Sequence, residues 1–470
     1  MTLASAMSSI HRYFDGGEFE QELARRVAHR TESQLLPDSL PALHRYLDEE
    51  MIPAFEAMGF HCKVIQNPLP DGAPSLVATR TEGDALPTVL GYGHGDVIVG
   101  QENSWTKGAG PWTTALDGDR LYGRGTADNK AQHTINMAAM RSVLEARGSL
   151  GFNATFLIEM GEETGSAGLT ELVTENRELF AADVLIASDG PRVAMDRPTI
   201  SLGCRGAFNV DLVADFRDGG HHSGNWGGLI ADPGVVLANA LASIVGKTGE
   251  LLVPALKAEP MSDAVRETLE DIEIDGGPDG PKIDTWWGEP DLTPPQRVHA
   301  ANTFNVLAFV TGNPQKPVNA IPPKAVANCQ LRFVTGTDPA TIVPALRTHL
   351  DRNGFHQIEV VVPGENRGIG FPACRTEPDH PWAVFVRDTV AAAIGAKPAV
   401  IPSIGGSLPN DVFGELLGLP TIWIPHSYTG CSQHAPDEHV LLPTCRSALE
   451  VMTSVYWAIG ETGGPSMEAR

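Results

Sequence analysis

Between residues 88 and 200 short, almost unbroken apolar runs alternate with longer stretches of helical spacing. The runs Thr88-Val-Leu-Gly-Tyr-Gly-His94, Asn153 to Met160 and Asp183-Val-Leu-Ile-Ala-Ser188 each predict a strand buried on both faces. Asn129 to Ala146 and Gly168 to Glu178 carry apolar residues at helical intervals. Upstream, Phe19 to Arg30 and Pro41 to Met58 predict helices, the second opened by Pro41 and stopped by Gly59. Ser75 to Arg80 alternates as a strand. Strands that alternate with helices predict an α/β layer, doubly wound around a mostly parallel sheet.

From about Arg205 the rhythm changes. Phe208 to Asp215, Phe304 to Val310, Ala325 to Val334 and Gln357 to Val362 read as strands, the first three by alternation, with helices expected at Pro233 to Val245 and Pro339 to Arg352. That order predicts an inserted α+β domain over 205–370, with one sheet face left for a partner. A helix from about Asp379 to Ile394 and a strand at Thr421-Ile-Trp-Ile424 resume the first pattern. The expected catalytic domain is therefore split, 1–204 and 371–470. Residues 252–297, with Trp286 and Trp287, are polar, rich in Pro and Gly, and show no strong period.

Composition narrows the function classes. The 470 residues hold 34 basic and 58 acidic side chains, a net charge of −24, which repels phosphate backbones and anionic lipid. Neither a nucleic acid nor a membrane is expected as a partner. No run nears the ~18 apolar residues of a membrane span, and Met1 to Tyr13 lacks a signal-peptide pattern. The six cysteines form no CxxC pair and read as reduced thiols in a cytoplasmic protein.

Five motifs carry candidate chemistry. In Gly91-Tyr-Gly-His94-Gly-Asp96 the histidine and aspartate lie two apart, so on a strand they share a side. Leu121-Tyr-Gly-Arg-Gly-Thr-Ala-Asp128 places an aspartate at a helix start, where an ordinary N-cap would also stand. Glu162-Glu163 follow a buried strand. Adjacent carboxylates there need a metal or a proton to offset their repulsion, unless they simply face solvent. Ser188-Asp189-Gly190 follows another strand, and Cys431-Ser-Gln-His434-Ala-Pro-Asp-Glu438-His439 forms a loop after the last one. Each alone has a bland reading as a turn or a solvated loop. Together they converge, because strand ends in a doubly wound sheet meet at one crevice.

The five motifs, in order, resemble those of the two-metal aminoacylase and carboxypeptidase family, which includes acetylornithine deacetylase, succinyl-diaminopimelate desuccinylase, glutamate carboxypeptidase and carnosine dipeptidase. The resemblance implies two divalent cations per subunit, Zn2+ first, with Mn2+ or Co2+ also suiting the donors. It implies His94 and Asp189 on one metal, Glu163 and His434 on the other, and Asp128 bridging. Glu162 would be the general base and Asp96 would orient His94. Asp189, rather than Glu, and His222-Ser-Gly-Asn-Trp-Gly-Gly228 resemble the dipeptidase branch. Gly95 and Ala131 depart from the usual pattern, which has Tyr and Gly there, and Asn410-Asp411 is also atypical. The implied reaction is hydrolysis of a dipeptide or similar small amide bearing a free carboxylate. The alternatives are an N-acyl-amino-acid deacylase and a silent relative that binds a metabolite or partner.

For substrate binding the resemblance points to Arg332 as carboxylate holder and to His222 as a donor that reaches a partner's site, hence a homodimer joined through the insert. Gly406 and Ser407, just before Pro409, form a second candidate for the carboxylate, on the expectation that Pro409 opens a helix with free N–H groups.

Overall fold

The computed structural model describes residues 2–274, 281–364 and 371–465. Its larger sheet has eight strands, in the order His61–Ile65, Ser75–Arg80, Asn153–Glu159, Thr88–His94, Val184–Ala187, Thr421–Trp423, Thr199–Ser201, Ala399–Ile401. The four central strands, from Asn153–Glu159 to Thr421–Trp423, run parallel. On one side Ser75–Arg80 is antiparallel to the centre and His61–Ile65 antiparallel to it in turn; on the other, Thr199–Ser201 and Ala399–Ile401 both run against the centre.

Burial on both faces explains the unbroken apolar runs. Phe156 and Ile158 face one core and Leu157 the other; Val89 and Leu90 divide in the same way. The first core is closed by helices Leu3–Asp15, Glu18–Ala28, Lys130–Arg147, Pro381–Ile394 and Leu442–Thr462, the second by Leu169–Glu175 and the turn around Phe413. Helices on both faces make the fold an α/β doubly wound one. Two of these helices gave no clear sequence signal. In Leu442–Thr462 every residue from Val451 to Trp457 is buried, so no polar stripe sets a period. The expected helix over Pro41 to Met58 widens into a π-helical stretch at Leu47–Met51 before Ile52–Ala57. Pro53, just beyond, has no N–H to donate, and the wider turn absorbs the missing bond.

The second sheet is antiparallel, in the order Thr303–Thr311, Lys324–Phe333, Gly206–Asp215, Glu359–Val361. Helices Pro233–Ile244 and Pro339–Arg352 cover one face over a core of its own. Each starts with an aspartate cap, Asp232 or Asp338, followed by proline. Thr303–Thr311 is an edge strand. Val306, Leu307, Phe309 and Val310 are exposed on it rather than alternately buried. The expected C-terminal boundary of the insert, at 370, falls outside the described residues, as do residues 275–280 of the 252–297 segment. Among the described residues no helix is long and apolar enough to cross a membrane.

Candidate active site

The four central parallel strands deliver their side chains to one edge of the sheet. His94 ends its strand, Glu162 and Glu163 form a short turn after Asn153–Glu159, Asp189 follows Val184–Ala187, and His434 lies in the loop beyond Thr421–Trp423. Asp128 comes from the turn before the helix Lys130–Arg147.

His94 is fully buried, and its Nε2 lies 2.9 Å from Asp128 Oδ1 and 3.5 Å from Asp189 Oδ2. His434 Nε2 lies 3.2 Å from Asp128 Oδ2 and 2.9 Å from Glu163 Oε2. Two groups of three donors result, His94–Asp128–Asp189 and Asp128–Glu163–His434, and they share Asp128. Asp96 backs both. Its backbone carbonyl lies 3.1 Å and its Oδ1 3.4 Å from His94 Nδ1, and its carboxylate accepts the Glu162 and Glu163 backbone N–H groups at 3.2 and 3.1 Å. One buried carboxylate thus orients the histidine and fixes the Glu-Glu turn.

The charge balance fits a cation. Burial pushes the Glu162 carboxyl far above the usual range; His94 opposes this, while Asp189, Asp128 and Glu163 push further. Burial and then repulsion from Asp128 raise Glu163 to about 7. Burial also raises Asp189, whose Oδ2 has no hydrogen-bond partner. Asp128 is held low in spite of its burial, because His434 and His94 hydrogen-bond it. His94 is raised against its burial by the surrounding carboxylates, and hydrogen bonds to Asp128 and Glu163 lift His434 to about 11. Without metal, the imidazoles supply the positive charge that the carboxylates demand. An orphaned buried oxygen within an oxygen and imidazole donor set fits divalent cations. Cys431 is no competitor, since burial pushes its thiol up to about 12 and it joins neither donor group.

A cavity of about 350 Å³ opens beside the cluster. Asp128, Glu162, Asp189 and His434 line it, and so do Gly405, Gly406 and Ser407. Arg332 reaches that loop, with Nη1 2.9 Å from Ser407 Oγ. Pro409 does not open a long helix; only a short turn follows, of π-helical geometry at Val412–Leu416, so the helix-terminus anion site expected there is not built. His222 lies elsewhere, exposed on a two-residue strand paired with Ala320–Ile321, with Nδ1 accepting from Gly224 N, and is not in the cavity wall. Trp286 and Trp287 pack edge to face on each other outside this cavity, which residues 252–297 reach instead through Ile274.

Two residues have roles that the sequence reading did not assign, although Glu438 stood in the fifth motif. Glu438 is buried and accepts four hydrogen bonds: from Arg124 Nη1 at 2.7 Å, and from the N–H groups of Gly125, Ala127 and Asp128 at 3.0, 2.8 and 3.0 Å. It fixes the turn that carries Asp128. Its place four residues after His434 was the available signal. Arg205, also buried, donates from Nε and Nη2 to the Gly405 carbonyl at 3.2 and 3.0 Å. Gly95 finds its reason too, since a Cβ there would lie 2.4 Å from Tyr46 and 2.7 Å from Met160. Tyr46 occupies the space that a side chain at 95 would need.

Strand ends that gather seven acidic and imidazole side chains beside a cavity define a metal-dependent hydrolase. The chain belongs to Peptidase family M20/M25/M40, whose model matches residues 90–458. It is therefore a metallopeptidase. It is 26% identical over 412 residues to a cysteinylglycine-S-conjugate dipeptidase of Corynebacterium striatum, covering 83% of this chain and 84% of that one. It is 25% identical over 416 residues to the beta-Ala-His dipeptidase of Mus musculus, covering 79% and 78%. Human carnosine dipeptidase 1 has a similar fold, with a TM-score of 0.76 at 22% identity over 98% of this chain and 99% of that one.

Proposed function

We propose that this metallopeptidase is a dipeptidase with two divalent cations, Zn2+ first, held by His94 and Asp189, by Glu163 and His434, and by Asp128 between them. The observation that carries the reading is the pair of three-donor groups sharing Asp128 beside a cavity sized for a small substrate. When bound, the cations would polarise the scissile carbonyl and acidify a water molecule. Glu162 lines the cavity whereas Glu163 is turned to His434, so Glu162 takes the proton from the attacking water and returns it to the leaving amine. Asp96 keeps His94 in place. Arg332 and Ser407 hold the free carboxylate of the substrate.

Residues 205–370 serve as an inserted lid, a role supported by the separate core of the second sheet. Its exposed apolar edge strand, Thr303–Thr311, supports a homodimer formed through the lid. His222, exposed on the same insert, then completes the partner's site. Six unpaired cysteines support a cytoplasmic location.

The test combines metal analysis with kinetics on dipeptides and their N-acetyl counterparts. Two equivalents of metal and cleavage of the free dipeptides are expected. Cleavage of the acetylated series alone would make the enzyme a deacylase, and no metal uptake would overturn the site. For the dimer, mixing inactive His222→Ala with inactive Glu162→Ala protein should restore part of the activity. Heterodimers that form and stay inactive would sink the shared site.

A further inference from the structure

We infer that the preferred substrates are dipeptides whose C-terminal residue is apolar, an inference that rests on the dipeptidase reading above. Two polar groups share the cavity wall. In the first, Asp128, Glu162, Asp189 and His434 gather where the scissile carbonyl must lie. In the second, the Gly405–Ser407 loop is backed by two guanidinium groups. Arg332 donates to Ser407 Oγ, and Arg205 pins the Gly405 carbonyl. Among the described residues neither guanidinium forms an ion pair with a carboxylate, and burial together with the charge of Arg332 brings Arg205 down to about 10. That second group is positive and suits an anion. In a dipeptide whose scissile carbonyl meets the first group and whose carboxylate meets the second, the C-terminal residue is the one that lies between them.

Its side chain meets the rest of the wall, which is mostly apolar, with Val193, Ile274, Val298, Ile401, Ile404 and Leu408, and whose Thr429 and Gln433 are uncharged. His299 adds no charge to that wall. It is buried, its Nδ1 lies 2.8 Å from the Ser403 carbonyl, and burial lowers its pKa to about 4. Arg192, the remaining cation of the lining, is 2% exposed and donates from Nε to the Pro425 carbonyl. A leucine, isoleucine or methionine side chain gains apolar burial here, whereas a lysine or aspartate would lose hydration against a mostly apolar wall.

One methylene in an apolar pocket is worth roughly 10–200-fold in kcat/KM, so Ala-Leu should exceed Ala-Gly by about 100-fold or more. The experiment measures kcat/KM of the metal-loaded full-length enzyme for Ala-Leu, Ala-Ile, Ala-Gly, Ala-Lys and Ala-Asp. The Leu-to-Gly ratio should then fall about tenfold or more in Ile404→Ala, and likewise in Leu408→Ala, which guards against a folding failure of the first. If Ala-Gly, Ala-Lys or Ala-Asp matches Ala-Leu, the pocket inference is overturned and the dipeptidase reading stands. A best rate on Ala-Asp would reassign Arg192 as a side-chain anchor. If no dipeptide is cleaved by metal-loaded enzyme, both fall.

Discussion

Replacing Glu438 by alanine removes a residue that touches no substrate, and should still weaken the metal site. The side chain is 1% exposed, as is the guanidinium of Arg124 that it pairs with. Its loss leaves that cation and the N–H groups of Gly125, Ala127 and Asp128 without their acceptor. Breaking a buried ion pair costs about 3–5 kcal/mol, and each orphaned amide adds about 1–3 kcal/mol where water cannot reach it. With water entering the vacated space, a total near 5 kcal/mol is expected (roughly). Because Asp128 N is among the donors, the turn relaxes and metal affinity should fall about 10–100-fold, as for other supports of ligand residues. Glu438→Gln separates the two oxygens. Oε1 serves Ala127 and Asp128, and Oε2 serves Arg124 and Gly125. A glutamine keeps one pair and sets its own donors against the other, so it should fall between wild type and alanine. Urea denaturation and a metal-binding titration measure the two effects. A Glu438→Ala protein that loses less than about 1 kcal/mol and binds metal as before would refute the reasoning.

Glu162→Gln should lower kcat by about 10²–10⁴ while metal content stays at two equivalents; unchanged turnover would remove Glu162 from the role of base. Chelation should abolish activity and lower the unfolding temperature, with zinc, manganese or cobalt restoring both, whereas an enzyme active after complete metal removal would overturn the site. Glu22 is buried, which pushes its carboxyl up, yet Arg26 and Arg141 outweigh that and hold it at about 2 against an ordinary 4.5. A depressed carboxyl stabilises the fold fully above pH 4.5 and loses that contribution as pH falls toward 2. That contribution is on the order of 3 kcal/mol. Glu22→Gln should remove that acid slope, and an unaltered slope in the variant would show that other groups carry it.

Sequence by itself determined the α/β class, because Thr88–His94, Asn153–Glu159 and Val184–Ala187 must be apolar throughout to be buried on both faces. It also pointed to the acidic and imidazole cluster, since carboxylates placed directly after buried strands need a reason to be there. Only the tertiary structure decided which carboxylates meet. Asp128 and His434 are 306 positions apart in the chain, and it takes packing around Glu438 to bring Asp128 within 3.2 Å of the imidazole. The antiparallel flanks of the large sheet were also hidden, because pairing direction depends on chain crossovers rather than on residue type. The same holds for the helix Leu442–Thr462, whose burial on every side erases the period that would have shown it. Arg205 was illegible for a related reason. An arginine becomes informative only when its surroundings leave it buried on a backbone carbonyl beside a second cation, and those surroundings come from residues 332 and 405. Local pattern follows from each segment's own burial, whereas a site is a relation between segments, and long-range packing sets that relation.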